Sequence, residues 1–349
     1  MSEFGHGLII GKFYPLHAGH SALIRAAEAR CARVTVQLLG ASVESIPLEV
    51  RADWIRQDHP TVVLRTAMDD AEIDFHSDAA WDEHMAIIEG LLDAPVDAVF
   101  SSDEYGGEMA ARLGATWVQV DKGRTQNPYS GTAVRADLAG TWGWLSASVR
   151  ASLSQRVVVL GAESTGSTTL AEAIAADYGT AWVPEFGRHY SGIRHGGLTE
   201  PWRTDEFELV AAEQLRWEER AARESPHPLV VCDTDMLATV LWHERYVGAE
   251  HAALRDRALA HPPLLYLLTG DEIPFVQDGM RDGEHIREAM QQRFREELAA
   301  QPVPWIEVRG SVAERLAQTR AAIDELLTPA LQFAQPLEHR STPLDTLSP

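Results

Sequence analysis

The stretch QRVVVLGAESTGSTTL, Gln155 to Leu170, decides how this chain folds. Arg156 to Leu160 is a short apolar run of the kind that fills a buried parallel strand. Gly161 and Gly166 then open a loop, and the Ser/Thr-rich end of the stretch leads into a helical pattern. Strand, glycine loop and helix in that order place backbone N–H groups and a helix start where an anion can sit, which is the context of a phosphate-binding loop. Because the stretch lies near the middle of 349 residues, about half of the chain precedes it and must fold around its own core.

That first half alternates short apolar runs with amphipathic stretches. Gly7 to Phe13, Arg33 to Leu39, Thr61 to Thr66, Asp97 to Ser101 and Thr116 to Val120 read as strands, with helices at Ser21 to Arg30, Leu48 to Arg56 and Trp81 to Leu92. Strands alternating with helices predict a parallel sheet covered on both faces, with ligands at the strand C-termini. After the joining segment Trp142 to Arg156 the alternation restarts. Gln155 to Leu160, Thr180 to Val183, Leu229 to Asp233, Leu264 to Thr269 and Trp305 to Val308 read as strands, with helices after the first, third and fourth and at Ser311 to Leu327. The expectation is an α/β chain of two parallel-sheet domains, residues 1–150 and 151–330. Residues 331–349, with Pro336, Pro343 and Pro349 among Ser and Thr, read as a flexible tail.

Composition narrows the function. Hydrophobic residues at 45% and charged residues at 23% are the balance of a soluble globular protein. No signal-like segment and no membrane-length apolar run is apparent, so a cytoplasmic protein without a membrane partner is expected. Cys31 and Cys232 stand far apart, without disulfide or zinc-site spacing. A net charge of −22 argues against a nucleic-acid partner, since phosphate-backbone affinity needs clustered Lys and Arg. Anionic ligands must then be met by local cationic sites, and Lys12 and Lys122, the two lysines of the chain, both fall in the first half within motifs. A homo-oligomer is compatible with the sequence and not specified by it.

The segment GKFYPLHAGH, Gly11 to His20, falls where the first strand ends and the first helix begins. His17 and His20, with Gly19 between them, can face a polyphosphate together and donate hydrogen bonds as charge builds on it. Chance supplies a bare His-x-Gly-His in about 4 per cent of chains of this composition, so the motif needs support. That support comes at VDKGRTQNPYSGTAVR, Val120 to Arg135, at the end of the fifth strand. There Ser130, Gly131 and Thr132 start another helix, and Arg135 lies one turn on, within reach of phosphate oxygens.

The two motifs together resemble the HxGH-type nucleotidyltransferases, over about the first 140 residues. The resemblance implies a Rossmann-like domain in which a substrate phosphate attacks the α-phosphorus of ATP, with Mg²⁺ and no covalent enzyme intermediate. It makes His17 and His20 stabilise the reacting phosphoryl group, and it gives the β- and γ-phosphates to Lys12, Ser130, Thr132 and Arg135, with Gly11, Phe13, Gly19 and Gly131 completing the ATP site. The wording around His17 is most similar to nicotinamide mononucleotide (NMN) adenylyltransferases. Pro47, Arg51 and Trp54 repeat a pattern of the NadR-like branch, and Arg51, Trp54, Asp121 and Arg124 become candidates for binding NMN. Trp54 has two readings, a ring to stack on a cationic nicotinamide and a core tryptophan on an amphipathic helix.

In the second half the loop Gly161, Glu163, Ser164, Thr165, Gly166, Ser167, Thr168, Thr169 departs from its pattern, because Ser167 stands where a lysine normally charges the phosphate site. No lysine follows anywhere in that half, so a substitute must be an arginine. Arg188, Arg281 and Arg287 are the candidates, Glu185 a candidate base, and Thr168 with Asp233 the expected Mg²⁺ site; Asp235 is a further acid. This half resembles the ribosylnicotinamide kinase domain of NadR-like bifunctional proteins. The resemblance implies ATP-dependent phosphorylation of nicotinamide riboside to NMN. With the first strand beginning by Gly7, no helix-turn-helix domain is expected here. The missing lysine keeps a second reading open, a non-catalytic nucleotide sensor, and the first site also admits another phosphorylated acceptor such as nicotinic acid mononucleotide.

Overall fold

A computed structural model of the protein describes residues 2–74, 76–123, 125–128, 130–277 and 284–337. It divides between Val149 and Arg150 into two compact units, each with its own five-stranded parallel sheet.

In the first unit the elements run β1 (Phe4–Gly11), α1 (Ala18–Glu28), β2 (Cys31–Gly40), α2 (Leu48–Asp58), β3 (Val63–Met68), α3 (Asp78–Gly90), β4 (Ala98–Ser101), α4 (Tyr105–Leu113), β5 (Thr116–Gln119), α5 (Gly131–Ala136) and α6 (Ala147–Leu153), whose C-terminal residues belong to the second unit. The strand order is β3-β2-β1-β4-β5. β1 pairs with β2 from Phe4↔Cys31 to Gly11↔Leu38 and with β4 at Gly7↔Ala98, so the order reverses at β1. The crevice beyond the C-terminal ends of β1 and β4 is the place such sheets offer a ligand. Leu8, Leu39, Trp81, Met85, Ile88, Val99 and Met109 pack beside it in one apolar cluster.

The second unit continues with β6 (Gln155–Leu160), α7 (Ser167–Tyr178), β7 (Ala181–Val183), α8 (Phe186–Ile193), α9 (Thr204–Glu224), β8 (Leu229–Asp233), α10 (Met236–Val247), α11 (Ala252–Leu259), β9 (Leu265–Thr269), α12 (Arg287–Ala300), β10 (Trp305–Val308) and α13 (Val312–Ala330). Its strand order is β10-β9-β6-β8-β7, with β6 central. Successive residues of β6 serve opposite faces: Val158 and Leu160 enter one core, Val157 and Val159 the other. That is why a continuous apolar run was needed there.

Two expectations are corrected. The apolar pattern predicts no helix after the second strand of this half, yet α8 and the 21-residue α9 stand there. The buried face of α9 carries Gln214 and Glu218 among Phe207, Val210, Ala211 and Ala222, and these polar members broke the apolar periodicity. The expected tail also begins differently. Residues 332–337 return to the first unit, where the Tyr14 hydroxyl donates to the Ala334 carbonyl at 3.0 Å, Ala334 N donates to Ser45 Oγ at 3.1 Å, and the Phe333 ring meets Tyr14 edge-on at 5.9 Å. Backbone groups and an aromatic ring with such partners are held; residues 338–349 lie outside the described ones.

Candidate active sites

At the end of β1 the chain turns through Phe13, whose φ of 44° is left-handed, and His17 caps α1. Gly19 N donates to His17 Nδ1 at 3.1 Å. A backbone N–H only donates, so Nδ1 keeps its lone pair and the neutral ring carries its proton on Nε2. His17 is thereby set up as a donor. Its ring stacks on that of His20 at 3.8 Å, and His20 meets Phe13 edge-on at 4.9 Å.

The SGT motif arrives from the other side of the crevice. Ser130 Oγ caps α5 by accepting from Ala133 N, Thr132 Oγ1 accepts from Arg135 Nη2 at 3.3 Å, and Arg135 Nη1 donates to the Tyr14 carbonyl at 2.7 Å. A Cβ on Gly131 would come within 3.0 Å of Arg135 Nη1, so the glycine lets the guanidinium lie against the helix start. Gly11, Lys12, Phe13, His17, Gly19, His20, Asp121, Ser130, Gly131, Thr132 and Arg135 all line one cavity of about 470 Å³, within the size range of small-molecule sites. The structure thus brings together two motifs some 110 residues apart.

Two residues expected there are elsewhere. Trp54 is 1% exposed and does not line the cavity; it is a core tryptophan. Arg51 is equally buried and lies beneath the site, donating to the Lys12 carbonyl at 2.9 Å and to Glu44 at 2.7 Å. Glu44, fully buried in its side chain, also pairs with Lys12 Nζ at 3.3 Å. Asp121 reaches the cavity but accepts from Gln126 N and Asn127 N, and these bonds hold it below the usual carboxylate range. Arg124 lies outside the described residues.

The sequence reading missed the remaining wall. Trp81, Ile88 and Met109 line the cavity with Asp69, His84, Asp103 and Tyr105. Asp69 Oδ2 lies 2.7 Å from His84 Nδ1, and that bond lifts the imidazole above its ordinary value. Burial pushes the Asp69 carboxyl up, but the bonds and charge of His84 outweigh it and hold it low. Only position at a strand end or on the facing helix marks these residues, a signal the sequence gives too weakly to use.

In the second unit the loop after β6 has Ser164 at φ 61° and Gly166 at φ 85°. A Cβ on Gly161 would fall 2.2 Å from Thr269 Oγ1, so this glycine is required for the close approach of loop and sheet. Glu163, Ser164, Gly166, Ser167, Thr168, Thr169, Glu185, Arg188 and Asp233 line the cavity. Thr165 does not; it is buried and its hydroxyl donates to the Ala162 carbonyl. Thr168 Oγ1 donates to Asp233 Oδ2 at 2.6 Å at the end of β8. Burial raises the Asp233 carboxyl against the hydrogen bonds of Thr168 and Ser167. Burial together with the charge of Asp233 pushes Glu185 up to about 7, with Arg188 opposing.

Other expectations for this site change. Asp235 is a structural residue, since Oδ1 caps α10 through Ala238 N and Oδ2 accepts from Tyr266 at 2.8 Å away from the cavity. Arg287 holds backbone carbonyls at Ile273 and Ser164 behind the loop. Arg281 lies outside the described residues. Missed altogether was an aromatic wall of Trp202, Phe207, Trp242 and Tyr246 in the same cavity. Trp202 lies 5.0 Å from Phe207 and 5.7 Å from Tyr246, and the Arg194 guanidinium, paired with Glu206, sits 4.1 Å over Trp202. These four side chains come from three separate segments, so no local motif announces them.

Comparison with known proteins agrees with this architecture. Residues 156–315 match the model of a family described as an AAA domain. The chain is 25% identical over 295 residues to the trifunctional NAD biosynthesis/regulator protein NadR of Escherichia coli (strain K12), covering 79% of this chain and 71% of that one. It is 25% identical over 325 residues to the protein of the same name from Salmonella typhimurium, covering 87% and 78%. A crystal structure of NadR in complex with NR aligns with a TM-score of 0.67 at 20% identity, over 93% of this chain and 97% of the other, and one with NAD and AMP-PNP aligns at 0.66 and 19%, over 100% and 99%. The two parallel sheets along this chain, and the curated and solved relatives that span both units, make it similar to NadR proteins over nearly its whole length.

Proposed function

We propose that the first unit transfers the adenylyl group of ATP to NMN, giving NAD and pyrophosphate. The observation that carries the reading is the convergence of His17, His20, Ser130, Thr132 and Arg135 on one cavity. A phosphate oxygen of NMN forms a bond to the α-phosphorus of ATP while the bond to the β-phosphate oxygen breaks. The attacking group is already an anion and needs no base. His17 donates through Nε2 and His20 lies against it, so both can follow the charge that grows on the α-phosphoryl group, while Arg135 and Lys12 face the departing pyrophosphate. Trp81 offers an electron-rich face to a cationic nicotinamide ring. Asp69, Asp103 and Asp121 in the same lining disfavour a carboxylate on that ring, which favours NMN over nicotinic acid mononucleotide. Incubation with ATP, Mg²⁺ and each acceptor tests this: NAD and pyrophosphate are expected from NMN, and absence of both refutes the assignment.

The second unit is proposed to phosphorylate nicotinamide riboside with ATP, the NMN so made being the acceptor of the first reaction. Trp202, Phe207, Trp242 and Tyr246 suit a cationic ring, and in this reading Glu185, in the same lining, takes the proton of the attacking 5′-hydroxyl as its oxygen bonds to the γ-phosphorus and ADP leaves. The oxygen donors of Thr168 and Asp233, 2.6 Å apart on the loop and the β8 end, fit Mg²⁺. When bound, Mg²⁺ neutralises charge on the β- and γ-phosphates. The relatives whose structures hold NR and AMP-PNP support the same ligands here. Formation of ADP and NMN from ATP and nicotinamide riboside is the expected result; nucleotide binding without turnover would establish a sensor instead.

A further inference from the structure

Among the described residues, a cation behind the lysine-less loop comes from a helix nearly 150 residues away. Arg315, on α13, is 4% exposed in its side chain. Its Nη1 donates to the Thr165 carbonyl at 2.6 Å, Nη2 to the Gly270 carbonyl at 3.2 Å and Nε to the Gly310 carbonyl at 3.0 Å, and Nη2 pairs with Glu272 at 2.8 Å. A Cβ on Gly166 would lie 3.5 Å from Nη1, so the guanidinium sits directly behind the residue that precedes Ser167. Arg287, from α12, repeats the arrangement one residue earlier, with Nη2 on the Ser164 carbonyl at 3.1 Å and Nη1 on the Ile273 carbonyl at 2.8 Å.

A loop presents its N–H groups to an anion only if its carbonyls turn the other way, and buried carbonyls need donors. Ser164 and Gly166 both have left-handed φ, and for Ser164, which carries a Cβ, that conformation must be held from outside. Two successive carbonyls, Ser164 and Thr165, are each held by a buried arginine. Burying two guanidiniums for packing alone would be costly.

We infer that Arg315, with Arg287, is a positioning residue of the nucleotide site, taking over loop bracing where Ser167 cannot supply a lysine. Arg315 does not line the cavity itself. It fixes the loop with its N–H groups inward and adds positive potential from behind, while Arg188, in the cavity itself, stands on the phosphate side. This rests on the second unit being an ATP site.

The test is a double-mutant cycle in the full chain, read as affinity for a non-hydrolysable ATP analogue with Mg²⁺ by calorimetry. The phase belonging to the first unit serves as an internal reference. Arg315→Met should weaken the second phase at least tenfold and Arg315→Lys less, both leaving the reference phase unchanged. Ser167→Lys should gain more affinity in the Arg315→Met chain than in the wild type, because a lysine in the loop then replaces a missing brace. If Arg315→Met unfolds the unit, the same comparison is made with Arg315→Lys. Equal gains in both backgrounds, or an Arg315 variant with unchanged affinity, overturn the inference. A wild-type chain with no second phase instead sinks the reading of the unit.

Discussion

At the scale of single residues the two tryptophans of the first unit make the sharpest contrast. Trp54 sits in a suggestive motif and Trp81 in none, yet Trp81 lines the cavity and Trp54 is core. Sequence spacing could not separate stacking from packing, because both readings place the ring on the inner face of an amphipathic helix. Trp54→Ala should therefore destabilise the first unit by about 3–5 kcal/mol in denaturant unfolding. Trp81→Ala should raise KM for NMN by more than it lowers kcat; the reverse pattern for the pair would refute the assignment. On the proposed adenylyl transfer, His20→Ala should cost about 10²–10³ in kcat for NAD formation. A loss below tenfold would remove His20 from the chemistry.

At the scale of elements, several helix starts obey a local capping rule, whether or not the sequence pattern exposes the helix. His17, Ser130 and Asp235 cap α1, α5 and α10. Asp235 shows the cost of reading an acid at a strand end as catalytic, since the cap and the Tyr266 hydroxyl use both its oxygens. The link between β3 and α3 carries a pH dependence. Asp69 raises His84 above the usual 6.5, so that residue's stabilising contribution is full below about pH 6.5 and is lost as the pH climbs through the raised value. Asp69 is held below its usual 3.8, so its contribution is full above that value and is lost as the pH drops through the lowered one. The pair stabilises most between the two. The difference in Tm of the first unit between wild type and Asp69→Asn should be largest near pH 5 and shrink above neutrality; a difference independent of pH would refute the pairing.

At the scale of the whole molecule, the chain does not leave the first unit for good at Val149. Residues 332–337 come back to Tyr14, whose ring centroid is 5.3 Å from the guanidinium of Arg51 and 5.3 Å from that of Arg135, and whose carbonyl anchors Arg135. Shortening the chain to end at Leu331 should lower adenylyl transfer and the Tm of the first unit while leaving nucleotide binding by the second unchanged. Tyr14→Phe, which loses the hydroxyl bonds to Ser45 and Ala334, should cost about 1–2 kcal/mol in the same unit. Unchanged transfer in both variants would show the returning segment to be incidental.

The amino-acid sequence by itself determined the two parallel sheets, the position of most strands, the two glycine-containing turns at strand ends and the absence of the loop lysine. Each of these is set by a local rule: apolar runs for strands buried on both faces, glycines where a Cβ cannot fit, and caps at helix starts. Only the tertiary structure decided which side chains meet. Glu44 joining Lys12 to Arg51, the Asp69–His84 pair, the aromatic wall of the second cavity and Arg315 behind Thr165 all bring together residues from separate elements. Such meetings depend on strand order and helix packing, which close long loops between residues that carry no mark of one another in sequence.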